Sequence, residues 1–180
     1  EFRRVLFRSE RGQHEARQGL VIVDEAHILT TNPLLAPFLA KITKMWRKLG
    51  YWLWLATQNL QDFPDTAKKL LNMIEWWLLL VMPKEEVNEL TRFRSLTSEQ
   101  RELLLSATKS PGQYVEGVVL ADRVQALFRS VLPGIALALA QTEKHEKAER
   151  ARLMREHGVD ELGAAELVAQ AIDAARREVS

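Results

Sequence analysis

The sequence predicts an α/β fold with a largely parallel β-sheet. Three short apolar segments, residues 19–24, 51–57 and 76–82, have the continuous hydrophobic character of strands that are buried on both faces. A helical pattern fills the interval between the first two, and its apolar residues recur at helical spacing, namely Leu35, Phe38, Leu39, Ile42, Met45, Trp46 and Leu49. Strands that alternate with helices through short links favour parallel pairing, with helices covering the sheet.

The segments that follow the third strand predict a different arrangement. Residues 84–108 predict two short helices, the second of them capped at Thr97. Residues 113–120 and 123–128 predict the two strands of a hairpin, because a short turn separates two runs of strand-forming residues.

Composition divides the chain into three regions. Residues 1–10 are basic and lack periodicity, and we expect them to be non-native or disordered. Residues 11–134 contain all the predicted strands and form the expected core. Residues 135–180 are rich in Ala, Leu and charged residues, and they predict a helical tail of two helices separated at Gly158.

Bulk properties exclude several classes of protein. The chain has 180 residues, which is enough for one domain with its own core, and its net charge of +1 gives no sign of nucleic-acid binding. It has no cysteine, which excludes disulfides and Cys-ligated metal sites. Its longest apolar run, residues 76–82, is far shorter than the roughly 20 residues that a membrane-spanning helix needs.

Two adjacent carboxylates, Asp24 and Glu25, follow the first predicted strand. Hydrolysis of a nucleotide needs a metal ion to neutralise phosphate charge and a base to orient the attacking water. Asp24 is therefore the candidate ligand of Mg²⁺, through a water molecule, and Glu25 is the candidate catalytic base. The alternative is an ordinary strand that ends in solvent-exposed acidic residues.

Polar residues also follow the second predicted strand and the helix before it. Gln58 is placed to sense the γ-phosphate of ATP or to orient the water, and Thr57 is grouped with it as a nucleotide-binding residue. Arg47, at the end of the helix, is a candidate for stabilising charge in the site of a neighbouring subunit. The alternatives are a polar strand end and a cation that complements a helix C-terminus.

The order of these segments resembles that of the TraC-like ATPases of conjugative transfer and type IV secretion. The resemblance covers about residues 19–175. It is carried by Val-Asp-Glu-Ala-His at 23–27, Arg-Lys-Leu-Gly at 47–50, Leu-Ala-Thr-Gln-Asn-Leu-Gln-Asp-Phe at 55–63, and the tail sequence at 137–150.

The resemblance implies a RecA-like P-loop NTPase core that uses ATP and Mg²⁺. It makes Asp24 the metal-coordinating residue of the Walker B motif, Glu25 the catalytic base, Gln58 the sensor on the next strand and Arg47 the arginine that acts in trans. It also implies a homo-oligomer, often a hexamer, in the cytoplasm at the bacterial inner membrane. There it would work with other type IV secretion subunits to power pilus assembly and DNA transfer; direct contact with DNA is left open.

One element of that family is missing from the sequence. No Gly-x-x-x-x-Gly-Lys-Ser/Thr loop, which would cradle the phosphates with backbone N–H groups, occurs anywhere in the 180 residues. We therefore expect the chain to be the C-terminal part of a larger protein, and to bind and hydrolyse ATP poorly by itself.

Two alternatives remain open. Residues 24–27 spell the Asp-Glu-Ala-His box of a helicase superfamily and residues 106–108 imitate its Ser-Ala-Thr motif, but that motif belongs at the end of the next strand, where Thr57 and Gln58 stand. The other alternative is a non-catalytic interaction module of a secretion complex, which would dock through the helical tail.

Histidines and tryptophans are expected to have structural roles. The histidines at positions 14, 27, 145 and 157 lack the spacing of metal ligands, and they are interpreted as surface or cap residues. The tryptophans lie in predicted strands or on the inner face of a helix, so packing in the core is favoured over base stacking for Trp46, Trp52, Trp54, Trp76 and Trp77.

Overall fold

The structure, a computed structural model, describes residues 18–179 apart from the side chains of Phe38, Arg47 and Val179. The expectation for residues 1–10 lies outside this range. The chain forms two compact units. In the described part, the first comprises residues 18–77, 82–105 and 121–123, and the second comprises residues 78–81, 106–120 and 124–179.

Helices and strands alternate in the first half of the chain, and a sheet is followed by helices in the second. The first unit contains β1 (Gly19–Val23), α1 (Ala26–Thr31), α2 (Leu35–Lys48), β2 (Tyr51–Leu55), a 3-10 turn (Asp65–Ala67), α3 (Lys68–Leu71), α4 (Lys84–Leu90) and all but the last residue of α5 (Ser98–Ser106). The second contains β3 (Trp77–Leu80) after its first residue, β4 (Lys109–Ser110), β5 (Tyr114–Leu120), β6 (Gln125–Ser130), α6 (Gly134–Ala140), α7 (Lys144–His157) and α8 (Glu161–Val179). The predicted α/β class is confirmed.

Strands β1 and β2 form a parallel pair. Gly19 lies opposite Tyr51, and Val23 lies opposite Leu55. Helix α2 lies between the two strands in sequence, as a parallel connection requires. The predicted parallel pairing is confirmed for these strands, and it brings their carboxyl ends to one edge. Among the described residues this sheet contains only the two strands, so the parallel part is smaller than expected.

The core of the first unit lies against one face of this pair. Leu39, Ile42 and Trp46 of α2 are almost fully buried, together with Leu70 of α3. They pack against partly buried apolar residues, which include Val21, Tyr51, Leu53 and Leu55 of the strands. The α2 residues recur at helical spacing, so one stripe of the helix covers alternate residues of the strands.

Polar and glycine residues fix the ends of α2. The Asn32 side chain accepts hydrogen bonds from the backbone N–H groups of Leu34 and Leu35, at 2.9 and 3.2 Å. These groups have no carbonyl partner within the helix. Gly50 follows the last turn with φ of 73°, the left-handed conformation that favours glycine. The turn it makes leads directly into β2.

The second unit contains a sheet in which two strand pairs are antiparallel. Strands β5 and β6 form the predicted hairpin, with Val115 opposite Ser130 and Leu120 opposite Gln125. Strand β4 is also antiparallel to β5, and β3 is a further neighbour of β5. The expectation of a largely parallel sheet is wrong for the β4–β5 and β5–β6 pairs, because their connections are too short for a parallel crossover.

The helical tail differs in detail from its prediction. The helix expected from residue 135 to residue 157 is divided into α6 and α7, because Gln141 has extended backbone angles. Arg150 of α7 compensates for this break, since its guanidinium donates hydrogen bonds to the carbonyls of Ala138 and Gln141 at 3.2 and 2.9 Å. Gly158 ends α7 with φ of 65°, as predicted.

Helix α8 is held against α6 by small residues. Ala138 of α6 and Ala165 and Ala169 of α8 form a buried cluster, which lets the two helices approach closely. At 19 residues α8 is long, yet no helix within residues 18–179 is sufficiently long and apolar to traverse a bilayer.

A buried carboxylate connects the strands of the second unit. Glu116 of β5 is 5% exposed. Its Oε2 accepts hydrogen bonds from the Thr108 N–H and hydroxyl at 2.8 and 2.7 Å, and its Oε1 accepts two from the Arg129 guanidinium. That guanidinium also lies 3.9 Å from the centre of the Tyr114 ring. The hydrogen bonds from Thr108 and then those from Arg129 lower the pKa of Glu116 to about 2.

This network should make the stability of the chain depend on pH. The folded-state pKa is below the ordinary value of 4.5, so the unfolded chain takes up a proton first as the pH falls. The contribution of Glu116 is therefore complete above pH 4.5 and is lost as the pH falls towards about 2. We expect Glu116→Gln to be less stable than the wild type at pH 7, with a difference in unfolding free energy that shrinks on acidification in urea titrations.

A matched control distinguishes this effect from a general response to acid. Glu102 is exposed on α5, and Glu102→Gln should differ little from the wild type at any pH. A stability difference for Glu116→Gln that stayed constant from pH 7 to pH 3 would contradict the assignment.

Candidate functional site

The candidate site lies where β1 and β2 end. Two backbone hydrogen bonds continue the pairing past the last strand residues: Ala56 N–H donates to the Val23 carbonyl at 2.8 Å, and Ala26 N–H donates to the Ala56 carbonyl at 2.9 Å. Asp24 and Glu25 are thereby fixed beside the residues that follow Ala56. Because parallel strands present their carboxyl ends at one edge, the sequence order alone predicts this proximity.

Glu25 has an unusual backbone conformation. Its φ of 49° and ψ of 50° are left-handed, and within residues 18–179 it is the one non-glycine residue with positive φ. Its N–H donates to Asp24 Oδ1 at 3.0 Å. Successive residues of an extended strand point to opposite faces, so the left-handed turn at Glu25 interrupts that alternation just after the strand. Such a conformation costs about 1–3 kcal/mol for a residue other than glycine.

The cost of this conformation can be measured with two variants that both remove the carboxylate. We expect Glu25→Gly to be more stable than Glu25→Ala by about 1 kcal/mol in urea unfolding, because glycine adopts positive φ without a Cβ clash. The order should reverse at an ordinary helical position such as exposed Glu102, where Ala is favoured over Gly. Equal stability of the two position-25 variants would mean that the left-handed conformation carries no strain.

The predicted sensor contacts the predicted base. Gln58 Nε2 donates a hydrogen bond to Glu25 Oε1 at 2.6 Å, although the residues are 33 positions apart. The Glu25 side chain is 33% exposed, so it is neither buried in the core nor fully solvated. A carboxylate at a strand end, partly exposed and oriented by a neutral amide, can accept a proton from a bound water.

The other predicted residues are less closely involved. Asp24 is exposed beside Glu25, and one of its oxygens accepts the Glu25 N–H. The Thr57 hydroxyl donates to the Asn59 carbonyl at 3.2 Å, within its own turn. The backbone of Arg47 belongs to the last turn of α2, whereas its side chain is outside the described part.

Asp24 would be a single protein ligand of a magnesium ion, and most of the ligands of such an ion would come from elsewhere. The described residues contain no group of three or more His, Asp or Glu side chains arranged to hold a metal. Mg²⁺ commonly uses one or two protein carboxylates and completes its shell with water and substrate phosphates. One exposed carboxylate, such as that of Asp24, is compatible with that type of site.

His27 lies beside Glu25, a contact that the sequence pattern does not predict. The sequence predicts a surface or cap residue here, but the His27 ring is half-buried and its Nδ1 lies 3.4 Å from Glu25 Oε2. That nitrogen is shielded from solvent and has no hydrogen-bond partner in the structure. The available signal was its position two residues after Glu25, in the first turn of α1.

The second face of the β1–β2 pair is exposed, contrary to the expectation of strands covered on both faces. Burial alternates along each strand, and the residues on the open face are Leu20, Ile22, Trp52 and Trp54. Trp52 is 66% exposed and Trp54 is 56% exposed, and Trp76 before β3 is also exposed. The prediction that all the tryptophans pack in the core is therefore wrong for these three, and right for Trp46 and Trp77.

Comparison with known proteins does not assign the site. No family model matches the sequence, and no curated protein matches it significantly. The chemistry is accordingly inferred from the geometry around Glu25.

Proposed function

We propose that this chain is the C-terminal part of an ATP-hydrolysing motor with a RecA-like P-loop core, which powers conjugative DNA transfer or type IV secretion. The observation that carries the proposal is the hydrogen bond between Gln58 and Glu25 at the carboxyl edge of two parallel strands. An acidic pair on one strand end and an amide on the next match the chemistry of phosphoryl transfer to water.

Each residue has a distinct role in the proposed reaction. Glu25 accepts the proton of the attacking water, and Gln58 orients the Glu25 carboxylate through the 2.6 Å hydrogen bond. The second N–H of the Gln58 amide remains available to a γ-phosphate oxygen. Asp24 would hold Mg²⁺, and the ion, when bound, would neutralise charge on the phosphates.

The remaining parts of the motor belong to other segments. The phosphate-binding loop is absent from this sequence, so an upstream segment of a longer protein would supply it. Arg47 is proposed to reach the site of a neighbouring subunit in a homo-oligomer, such as a hexamer. The assembly is proposed to act in the cytoplasm, at the inner membrane of a bacterium, together with other secretion subunits.

The test is ATP hydrolysis by the longer protein that contains both the loop and residues 19–175. Asp24→Asn and Glu25→Gln should each remove turnover while the protein remains folded and assembled. Wild-type turnover in either variant would refute the assigned roles of these carboxylates.

The exposed face of the β1–β2 pair favours a second candidate, an interaction module without catalysis. A contiguous group of Leu20, Ile22, Trp52 and Trp54 is unusual on a free surface, since large exposed apolar patches mark contact sites. If this candidate is correct, substitutions at Asp24 would leave transfer unchanged, whereas the double substitution Trp52→Ser and Trp54→Ser would abolish transfer.

A further inference from the structure

The two oxygens of the Glu25 carboxylate have different neighbours. Oε1 accepts the short hydrogen bond from Gln58, at 2.6 Å. Oε2 faces Nδ1 of His27 at 3.4 Å, just beyond the usual length of an N–H···O hydrogen bond. Gln58 follows β2 and His27 belongs to α1, so separate elements approach the same carboxylate.

His27 Nδ1 is the unsatisfied partner in this arrangement. It is shielded from water and makes no hydrogen bond in the structure. A polar nitrogen that has lost water without gaining a partner is unfavourable, and a catalytic role is one explanation for such a group in a native protein. Oε2 of Glu25, at 3.4 Å, is an acceptor that the structure places beside it.

The ring of His27 is not required to hold the local backbone conformation. The turn is held instead by the His27 carbonyl, which accepts hydrogen bonds from the hydroxyls of Thr30 and Thr31, both at 3.0 Å. A side chain with another shape at position 27 would keep both of these bonds. The orientation of the ring towards Glu25 is thus separable from the folding of α1.

We propose that His27 is a positioning residue for Glu25. Its Nδ1–H donates to Oε2 and holds the carboxylate at the strand edge, while the Gln58 amide donates to Oε1. The role of Glu25 as the base comes from the proposed function, but the hydrogen bond itself does not depend on it. Gln58 and His27 would then donate to different oxygens of the carboxylate, which holds the group from two directions.

The first test needs no nucleotide and uses the chain as it is. The ¹⁵N shifts of the imidazole, observed through long-range ¹H couplings, report which ring nitrogen carries the proton. We expect His27 to carry it on Nδ1, and Glu25→Ala to shift the population towards Nε2–H. An Nε2–H ring in the wild type, or a tautomer unaffected by Glu25→Ala, would overturn the proposal. Exposed His145 is the internal reference and should not respond.

The second test is kinetic and separates positioning from packing. His27→Asn keeps an N–H donor close to the place of Nδ1, whereas His27→Leu keeps bulk and loses the donor. In the longer ATPase, kcat should fall roughly 10- to 100-fold for His27→Leu and recover largely for His27→Asn, with KM little changed. Equal losses in both variants would indicate packing alone and overturn the proposal.

The two tests fail independently. If the longer protein proved inactive, the proposed function would fail, and the tautomer measurement would still decide whether His27 orients Glu25. His145→Leu is the matched control for the kinetic test, because that ring is exposed in the first turn of α7.

Discussion

Replacing Glu25 by Gln should lower the rate of ATP hydrolysis by about 10²- to 10⁴-fold in the longer protein that supplies the phosphate-binding loop. The substitution keeps the size of the side chain and an oxygen that can accept the hydrogen bond from Gln58. It removes the negative charge and the ability to take a proton from water. Binding of Mg²⁺ and ATP should be nearly unchanged, so the loss should fall on kcat.

Phosphate release under saturating ATP measures this effect, and binding of a labelled nucleotide shows whether the site is intact. Glu102→Gln is the matched control, because Glu102 is exposed on α5 and the substitution is chemically identical. A Glu25→Gln protein that turned over ATP as fast as the control would exclude Glu25 as the base. Silent Asp24→Asn and Glu25→Gln variants, combined with normal transfer in cells, would favour the interaction module.

The second large effect is expected in the core of the first unit. Trp46 is 1% exposed and packs with Leu39, Ile42 and Leu70, so Trp46→Ala should lower the unfolding free energy by about 3–5 kcal/mol. Trp54 is 56% exposed, and Trp54→Ala should change the same quantity by less than about 1 kcal/mol. Urea titration followed by far-UV circular dichroism measures both without relying on tryptophan fluorescence.

A third variant separates packing from hydrogen bonding at Trp46. The Nε1 of this residue is buried and has no hydrogen-bond partner in the structure. Trp46→Phe therefore loses no hydrogen bond and should cost much less than Trp46→Ala. A comparable loss of unfolding free energy in Trp46→Ala and Trp54→Ala would mean that the open face of β1 and β2 is covered in solution.

Local rules account for what could be predicted of the fold. The β5–β6 hairpin is predictable because two strand patterns are separated by a short turn. Helix α5 is predictable from its reciprocal cap, in which Thr97 Oγ1 accepts the Gln100 N–H and Gln100 Oε1 accepts the Thr97 N–H. Gly50 and Gly158 marked helix ends because each adopts positive φ. These features depend on neighbours within a few residues, so a single sequence contains the necessary information.

Burial could not be predicted in the same way. A continuous apolar run is compatible with a strand covered on both faces, but the run does not indicate which helices or strands cover each face. In β2 the buried and exposed residues alternate, and Trp52 and Trp54 are on the open side. Tryptophan in a strand was therefore a poor indicator of a core position, because its environment depends on distant segments.

The candidate site was predictable in part for a similar reason. The contact between Glu25 and Gln58 follows from two parallel strands that end at one edge, a property that their order along the chain implies. The approach of His27 depends on the left-handed backbone of Glu25, a conformation that glutamate rarely adopts. The residue type at position 25 gives no sign of the turn, and the sequence therefore predicts only a surface or cap residue at position 27.

The left-handed backbone at position 25 also limits how this protein can be engineered. A library selected only for heat resistance would be expected to enrich glycine there, since glycine relieves the conformational cost of the turn. The resulting protein would be more stable, yet it would lack the Glu25 carboxylate on which the proposed hydrolysis depends. Selection for stability and selection for ATP hydrolysis would therefore favour different residues at position 25.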